Sequence, residues 1–448
     1  MNKYVLSSTA LILIILFNAS AQINSLDYAI TNWQGNKEAA VSVTFDDNCD
    51  TQFNIAMPYM DSKNIRGTFF VITQTGYSCS PVNWTTIRNA ANAGHEIGAH
   101  TVHHPFLTQL DSNSIINELK NSRDMINSQV TTQTCITMAY PYGDGGLSKP
   151  KDAVVQNIAK RFYIAARSAG VNSSGCDDYN GPSEPSYYSY YYQVGSRTMD
   201  SITTLGQFTT MLNNTLNQES WFIPMYHSFN DLNDSLSVTT ANFHNQMDAI
   251  YSQRQRFWIA PFGDVVRYRQ EHETANLLLI SDTPSKITLH LKDDMSDSIY
   301  TVPLTILLKI PSDYTITSIE QGSNNISFSR SNDTLKFNAV PDAGMIYLNK
   351  ATVATGIHSN QQDFELAGNF PNPASENTRI HYSLYTDAHI KIDILNLNGD
   401  LIKAVEETEQ AQGSYEVTVN TSDLRPGVYV YRLTANNFTD TARLTIIR

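Results

Sequence analysis

The sequence has few charged side chains for its length, and cations are the scarcer sign. Charged residues make up 16% of 448 residues, and 30 Lys and Arg against 43 Asp and Glu give a formal net charge of −13. A nucleic acid or an anionic membrane as partner would require a basic face, which this balance does not suggest. A neutral or cationic polymer is a better match as the partner of a protein with this negative charge. The hydrophobic fraction of 41% allows sizeable cores, and the length predicts two or three domains.

Cysteine is also scarce, and no Cys-x-x-Cys pair occurs. The four cysteines all fall in the first half of the chain: Cys49, Cys79, Cys135 and Cys176. Without paired spacing, a zinc–thiolate site is a poor interpretation. In an exported protein these residues can form up to two disulfides, and the sequence does not choose among the three pairings.

Long hydrophobic runs are missing except near the N-terminus. Lys3 precedes an apolar run over residues 10–17, and residues 19–21 (Ala-Ser-Ala) are typical of a cleavage signal. We interpret residues 1–21 as a signal peptide. No later stretch is long and apolar enough to predict a transmembrane helix. We therefore expect export through the periplasm, with the protein secreted or held on the outer cell surface.

Strand-like and helix-like segments alternate between about residues 38 and 273, which predicts parallel strands joined by crossover helices. One helix is predicted over residues 82–93, and another carries Ile115, Leu119 and Ile126 on one stripe. The predicted strands are residues 39–45, 67–72, 96–100, 135–140, 162–166, 221–226 and 257–260. Seven strands in this order predict an irregular (β/α)7-type barrel over residues 22–273, with its active site at the carboxyl ends of the strands.

Two all-β sandwich-like domains are predicted after the barrel. Alternating Thr-, Ser- and Asn-rich sequence gives the first, over residues 274–352, with strands at 286–291, 302–310, 314–319 and 335–339. No motif indicates its role, and a packing spacer and a carbohydrate-binding module both stay open. Residues 353–364 read as a linker. The last domain, residues 365–448, has predicted strands at 378–384, 390–396, 413–420, 427–434 and 440–447.

Polar side chains gather at the predicted carboxyl ends of the barrel strands. They are Asp46, Asp47, His100, Tyr142 and His227. His100 and His104 are four residues apart, so we predict a helical turn that places both imidazoles on one face. Together with a carboxylate they can hold one ion and leave a coordination position open for water, which is typical of a hydrolase.

These residues belong to four ordered motifs that resemble the polysaccharide deacetylase, or NodB-type, domain of carbohydrate esterase family 4. The motifs are residues 44–47 (Thr-Phe-Asp-Asp), 100–104 (His-Thr-Val-His-His), 140–143 (Tyr-Pro-Tyr-Gly) and 226–227 (Tyr-His). The resemblance implies a deacetylase that acts on a carbohydrate polymer or oligosaccharide. It also implies that Asp47, His100 and His104 bind a divalent ion, with Zn²⁺ the first choice and Co²⁺ or Ni²⁺ as alternatives.

The same resemblance implies roles for the remaining motif residues. Asp46 is the implied general base, which takes a proton from the attacking water. The Tyr142 N–H is implied to stabilise the oxyanion. His227 is the implied general acid, a role for which imidazole is suited because it exchanges protons near neutral pH. Pro141 and Tyr142 are expected to border the substrate.

The sequence departs from the family pattern at two places. Ala139 stands where an arginine commonly orients the base, so a cation must come from elsewhere. Arg167, at the end of a predicted strand, is our candidate, and a surface arginine in a loop is the alternative. The family's tryptophan motif before the acid is not clearly present, so the pocket wall between residues 170 and 220 is not defined.

A run of tyrosines offers a candidate substrate contact. Residues 187–192 (Tyr-Tyr-Ser-Tyr-Tyr-Tyr) lie in a Gly-, Pro- and Ser-rich insertion. Exposed aromatic rings stack well on sugar rings, so Tyr188 and Tyr190 are predicted to bind glycan. The alternative is that alternate tyrosines pack an edge strand.

The final domain resembles the C-terminal sorting domain of type IX secretion cargo from Bacteroidetes. The motifs are residues 370–373 (Phe-Pro-Asn-Pro), 392–396 (Ile-Asp-Ile-Leu-Asn), 424–429 (Leu-Arg-Pro-Gly-Val-Tyr) and 445–448 (Thr-Ile-Ile-Arg). The resemblance implies the type IX secretion machinery as a partner. It also implies that this domain directs passage across the outer membrane and is then cleaved or exchanged for a surface anchor.

Taken together, the sequence predicts a secreted metal-dependent deacetylase that removes the N-acetyl groups of N-acetylglucosamine-containing glycans. Two alternatives stay open. One is an esterase that removes O-acetyl groups from xylan with the same catalytic residues. The other is a deacetylase-fold module that binds glycan without turnover, for which Ala139 and the missing tryptophan motif would be signs of decay.

Overall fold

A computed structural model describes residues 26–146, 151–169, 190–351, 364–396, 399–436 and 438–448. The chain divides into two compact units, Met1–Thr352 and Val353–Arg448. The predicted signal peptide, most of the predicted linker, Cys176 and Tyr188 lie outside the described residues. Among the described residues, no helix is long and apolar enough to cross a membrane.

The strands of the first unit come in two groups. The first group, which opens with one N-terminal strand, is β1 (Tyr28–Ile30), β2 (Ala39–Val41), β3 (Thr44–Asp46), β4 (Thr68–Val71), β5 (Glu96–Ala99), β6 (Thr137–Ala139), β7 (Ala165–Arg167), β8 (Arg197–Thr198), β9 (Trp221–Phe222), β10 (Pro224–Tyr226) and β11 (Phe257–Ile259). The second group is β12 (Asn276–Asp282), β13 (Lys286–Lys292), β14 (Leu304–Lys309), β15 (Ile316–Gln321), β16 (Asn324–Ile326), β17 (Phe328–Ser331), β18 (Thr334–Ala339) and β19 (Ile346–Lys350).

Helices alternate with the strands of the first group. They are α1 (Met57–Ser62), α2 (Trp84–Asn92), α3 (Ser112–Gln129), α4 (Asp152–Ala159), α5 (Leu205–Asn217), α6 (Thr240–Ser252) and α7 (Phe262–Thr274). The α3 helix begins where the Asp111 side chain accepts hydrogen bonds from the N–H groups of Asn113 and Ser114. Ile115, Leu119 and Ile126 are buried along its inner face, as their spacing predicts.

The helices connect parallel strands, as predicted. One sheet has seven strands in the order β7-β6-β5-β4-β3-β10-β8, and a second has the order β11-β2-β9. Backbone bonds link β7, at one edge of the larger sheet, to the segment that precedes β8, at the other edge. The Ser168 N–H after β7 donates to the Val194 carbonyl (2.8 Å). The predicted strand 221–226 is split into β9 and β10, and Pro224, which has no N–H to donate, begins β10.

Antiparallel sheets follow the parallel ones. Their orders are β1-β14-β18-β17 and β12-β13-β19-β15-β16. The sequence did not predict β1, which pairs antiparallel with β14 through Tyr28 and Leu308. The segment that precedes the parallel strands therefore belongs to an antiparallel sheet. One hydrophobic core runs through both parts of the unit and includes Phe45 and Val265 as well as Leu289.

The second unit contains antiparallel sheets only, among its described residues. Its strands are β20 (Phe364–Phe370), β21 (Asn377–Leu384), β22 (Ala388–Leu395), β23 (Leu401–Gln410), β24 (Gly413–Asn420), β25 (Gly427–Ala435) and β26 (Phe438–Ile446). The sheet orders are β20-β21-β24 and β23-β22-β25-β26. The unit has its own core, with Tyr382, Ile392 and Tyr431 buried at its centre. The five predicted strands are present, and β20 and β23 are additional.

Candidate active site

Three predicted ligands meet just beyond the ends of β3 and β5. Asp47 Oδ1 lies 3.4 Å from His100 Nε2 and 3.4 Å from His104 Nε2, and the two imidazole nitrogens are 3.1 Å apart. Zinc bonds of about 2.1 Å in a tetrahedral arrangement would separate ligand atoms by about 3.4 Å. Asp47 Oδ1 is buried and has no hydrogen-bond partner among the described residues. These three residues therefore fit a divalent ion.

A backbone contact fixes the orientation of the His100 ring. Its Nδ1 lies 2.8 Å from the carbonyl oxygen of Ala139. Because a carbonyl oxygen only accepts, Nδ1 must donate, and a neutral His100 then carries its lone pair on Nε2, which faces Asp47 and His104. Ring orientation by a second contact of this kind is usual for metal-binding imidazoles.

The predicted helical turn between His100 and His104 is wrong. Residues 101–104 form an irregular loop in which Thr101 (φ 66°) and His104 (φ 54°) have left-handed backbone conformations. The Thr101 hydroxyl accepts a hydrogen bond from the His104 N–H at 3.0 Å. The two imidazoles therefore converge through a bend of the backbone, which a spacing of four residues does not distinguish from a helix.

Glu118, which the sequence analysis missed, holds this loop from helix α3. One of its carboxylate oxygens accepts the N–H groups of Val102 and His103, both at 2.9 Å. The other lies 2.6 Å from His103 Nδ1. His103 is thus held by Glu118 and is not part of the Asp47, His100 and His104 group.

Asp46, the predicted base, forms a buried ion pair with Arg167. The two residues are 2% and 0% exposed. Arg167 Nη2 donates to both carboxylate oxygens of Asp46, with 2.5 Å to Oδ1. Arg167 lies opposite Ala139 in the register of β6 and β7, so its guanidinium comes from the strand beside the one that carries the alanine. It is a buried residue, which excludes the surface alternative.

In the protein without an ion, Asp47 and the neighbouring imidazoles shift one another's pKa values. Burial alone would raise the pKa of Asp47, but contact with His100 and the charges of the neighbouring imidazoles bring it well below its usual range. Burial and the charge of His100 lower the pKa of His104 to about 4. At neutral pH, Asp47 is therefore ionised and His104 neutral, the forms in which both bind metal.

His227 follows β10 and lies beside the other carboxylate oxygen of Asp47. Its Nε2 lies 3.9 Å from Asp47 Oδ2, and its Nδ1 is buried without a hydrogen-bond partner among the described residues. The side chain of Gln52 donates to the carbonyl oxygens of both His227 (3.0 Å) and Asp46. This buried glutamine, which the sequence analysis did not single out, ties the ends of β3 and β10 together.

A disulfide fixes the backbone of Asp47, which has a left-handed conformation (φ 74°). Cys49 and Cys79 are bonded, and the Cys79 N–H donates to the Asp47 carbonyl at 2.8 Å. Of the remaining cysteines, Cys135 is free and buried. The position of Cys49, two residues after Asp47, was the only sequence signal that a disulfide could lie near the site. The sequence did not identify the partner of Cys49.

Tyr142 and Phe106 form an exposed aromatic wall beside the imidazoles. Their rings stack at 4.1 Å, and Tyr142 also meets the His104 ring edge-on at 4.4 Å. The buried Pro141 precedes Tyr142, whose own backbone is left-handed (φ 57°). At Gly143 (φ 69°) a Cβ would lie 2.6 Å from the Ala169 carbonyl oxygen, so only glycine fits there. Phe106 belongs to no recognised motif, so the sequence analysis did not single it out.

Of the predicted tyrosine contacts, Tyr188 lies outside the described residues. Tyr190 begins a short 3₁₀ turn, Tyr190–Tyr192. Its neighbours are buried: the Tyr191 hydroxyl donates to Glu273 at 2.5 Å, and the Tyr192 hydroxyl donates to the Tyr163 carbonyl at 2.6 Å. Tyr191 and Tyr192 therefore pack within the unit.

Comparison with known families identifies two parts of the chain. The polysaccharide deacetylase family matches residues 34–163, and the secretion system C-terminal sorting domain family matches residues 369–447. The chain therefore carries a domain of the polysaccharide deacetylase family, NodB-type of carbohydrate esterase family 4, and a C-terminal sorting domain of type IX secretion cargo. The sorting domain implies export, with the protein secreted or held at the cell surface.

Individual relatives are more distant. A gellan lyase from a Bacillus species is 26% identical over 341 residues, and the match covers 71% of this chain but 13% of the lyase. A peptidoglycan-N-acetylglucosamine deacetylase from Bacillus cereus is 28% identical over 122 residues, covering 27% of this chain and 42% of that protein. The crystal structure of a polysaccharide deacetylase from Mycobacterium smegmatis is 16% identical, with a TM-score of 0.38, over 55% of this chain and 94% of that one. The chain spans less than half the length of both sequence relatives.

Proposed function

We propose that the protein is a secreted, metal-dependent deacetylase that hydrolyses the N-acetyl groups of N-acetylglucosamine-containing glycans. The observation that carries this proposal is one constellation, which we name the rim site: Asp46, Asp47, His100, His104, Arg167 and His227. It combines a three-residue metal group, a buried carboxylate held by a guanidinium, and a further imidazole beside Asp47 Oδ2. These supply a metal, a base and an acid, which together suffice for metal-assisted hydrolysis of an amide.

Asp47, His100 and His104 would hold the ion, with Zn²⁺ the first choice. Bound there, a divalent ion would supply a Lewis acid that polarises the acetyl carbonyl and lowers the pKa of a water molecule. Asp46 accepts the proton of the attacking water. Arg167 acts as a positioning residue, because its guanidinium holds both oxygens of Asp46 and so fixes the direction from which the carboxylate takes the proton.

His227 donates a proton to the leaving nitrogen as the carbon–nitrogen bond breaks. Its position beside Asp47 supports this role, since an acid there lies next to the residues that would hold the ion. The Tyr142 N–H stabilises the oxyanion. The exposed Tyr142–Phe106 wall supports a sugar ring lying against the rim site, because aromatic faces pack against the apolar faces of sugars.

The preference for an amide over an ester rests on the Bacillus cereus relative, whose name specifies deacetylation of N-acetylglucosamine in peptidoglycan. We propose the same bond for this chain, with O-acetylated xylan as the alternative substrate. Residues 22–273 would then form the catalytic domain as an irregular (β/α)7-type barrel. Residues 274–352 would be a sandwich-like domain, residues 353–364 a linker, and residues 1–21 and 365–448 would direct export through the periplasm.

The test is acetate release by the full-length protein from chito-oligosaccharides, peptidoglycan and acetylated xylan, measured side by side with Zn²⁺ or Co²⁺. We expect release from an N-acetylated glycan and none from the metal-free protein. Release from xylan alone would replace the amide substrate with an ester. Silence on all three glycans, in protein that contains metal, would contradict the proposal and favour a glycan-binding module.

A further inference from the structure

Arg167 holds Asp46 with only one of its two terminal guanidinium nitrogens, Nη2. The other nitrogen, Nη1, donates to the hydroxyl oxygen of Ser196 at 2.8 Å. Nη1 also lies 3.3 Å from the Ser168 carbonyl oxygen and 2.8 Å from the sulfur of Met225. A thioether sulfur is a weak acceptor and 3.3 Å is a long N–H···O contact, so the Ser196 hydroxyl is the strongest partner of Nη1.

The Ser196 hydroxyl is itself fixed by the backbone. Ser196 directly precedes β8 and is 2% exposed. Its hydroxyl donates to the Ser168 carbonyl oxygen at 2.8 Å, and the Met225 sulfur, 3.8 Å away, is a weaker acceptor. Because the hydroxyl proton points to Ser168, the oxygen is left to accept the N–H of Arg167. Ser168 is in turn bonded to Val194, so Ser196 belongs to the link between β7 and the segment before β8.

The remaining contacts of the guanidinium do not fix its rotation. Arg167 Cζ lies over the ring of Phe70, 5.0 Å from the ring centroid. A ring face attracts the cation but leaves it free to turn above the ring. Arg167 Nε is buried and has no hydrogen-bond partner among the described residues. The direction in which Nη2 points toward Asp46 is therefore set chiefly by the bond from Nη1 to Ser196.

We propose that Ser196 is a positioning residue of the rim site, which acts through Arg167 on Asp46. The inference rests on the proposed function, in which Asp46 is the base. Without the Ser196 hydroxyl, Nη1 would keep only the weaker contacts to Ser168 and Met225, and the guanidinium would turn. Nη2 would then hold the Asp46 carboxylate in a range of directions. A base must lie within hydrogen-bond reach of the proton that it accepts, so this loss of direction lowers turnover.

The experiment compares four full-length, zinc-loaded proteins: the unsubstituted chain, Ser196→Ala, Arg167→Ala and the double variant. Ser196→Ala should lower kcat for acetate release about tenfold. KM and metal content should not change, because the Ser196 hydroxyl is buried and bonds to Arg167 and Ser168 rather than to a metal ligand. In the Arg167→Ala background the same substitution should change kcat less than about twofold, because the group that Ser196 holds is gone. Unchanged kcat in Ser196→Ala, or equal losses in both backgrounds, would overturn the inference.

Denaturant unfolding of the same four proteins tests the contact without acetate release. Ser196→Ala should lower the folding equilibrium constant about tenfold, since a buried hydrogen bond to a charged group is lost. The factor should be smaller in the Arg167→Ala background, where only the bond to the Ser168 carbonyl disappears. Coupling in unfolding but not in kcat would overturn the positioning role alone. Coupling in a protein that releases no acetate would overturn the proposed function, and with it the catalytic consequence.

Ser122→Ala is the matched control. Ser122 lies on α3 and is 0% exposed, and its hydroxyl has no hydrogen-bond partner among the described residues. The substitution removes the same group from a buried position, and it should leave kcat and KM unchanged. A loss of kcat in Ser122→Ala equal to that in Ser196→Ala would show that removing any buried hydroxyl has this effect, and it would overturn the inference.

Discussion

The adjacent carboxylates Asp46 and Asp47 of the rim site differ in what neutralises them. Arg167 holds Asp46 in a buried ion pair. Imidazoles surround Asp47, whose buried Oδ1 has no hydrogen-bond partner among the described residues. The charge of Asp46 is therefore compensated by a protein cation, whereas Asp47 is placed to bind an ion.

This difference separates two kinds of loss. A change among the imidazoles around Asp47 should cost metal binding and chemistry, whereas loss of Arg167 should also cost stability, because it leaves the buried charge of Asp46 unpaired. Three predictions test the contrast, ordered by their expected effect on turnover.

The largest effect is expected for His104→Ala. Loss of one of three protein ligands should release the rim-site ion and lower turnover roughly 1000-fold, the effect of several kcal/mol of lost charge stabilisation. Acetate release and metal analysis measure the two changes. His103→Ala is the matched control, since this neighbouring imidazole is held by Glu118, and it should stay within a few-fold of the unsubstituted protein. Equal losses in both variants would contradict the ligand assignment.

Arg167→Ala should lower turnover about 100-fold, because the base loses its fixed orientation. Metal content should stay unchanged. The variant should also lose about 3–5 kcal/mol of unfolding free energy, since the buried charge of Asp46 is left unpaired. Denaturant unfolding measures that loss.

A second substitution separates positioning from simple destabilisation. Ala139 lies opposite Arg167 in the strand register, so Ala139→Arg in the Arg167→Ala background should restore part of the turnover. Unchanged turnover in Arg167→Ala would rule out the positioning role.

Replacing both Cys49 and Cys79 with serine should reduce turnover about tenfold, because the bond that fixes the Asp47 backbone is lost. The melting temperature should fall as well, since removing a native disulfide typically costs about 2–5 kcal/mol. Cys135→Ala is the control without a disulfide, and its turnover should not change. Full turnover in the double variant would show that the Asp47 conformation does not need the cross-link.

The sequence predicted the parallel strands and the polar residues that follow them, because apolar runs and their boundaries are local signals. It did not predict how His100 and His104 converge, since the left-handed Thr101 and His104 depend on the Glu118 contact. The sequence offered Arg167 only as a candidate partner of Asp46, because that pairing depends on strand register.

Other features depend on contacts that no pattern records. The N-terminal strand β1 joins a strand far along the chain, and Gln52 connects the ends of two strands through its side chain alone.

The most direct test of the account compares acetate release by the zinc-loaded full-length protein with that of Asp46→Asn, on the same N-acetylated glycan. The substitution keeps the shape of the side chain and leaves the ligands Asp47, His100 and His104 in place. We predict that metal content is retained and that turnover falls about 100-fold or more. Retained turnover in Asp46→Asn would contradict the assignment of the base and with it the proposed chemistry of the rim site.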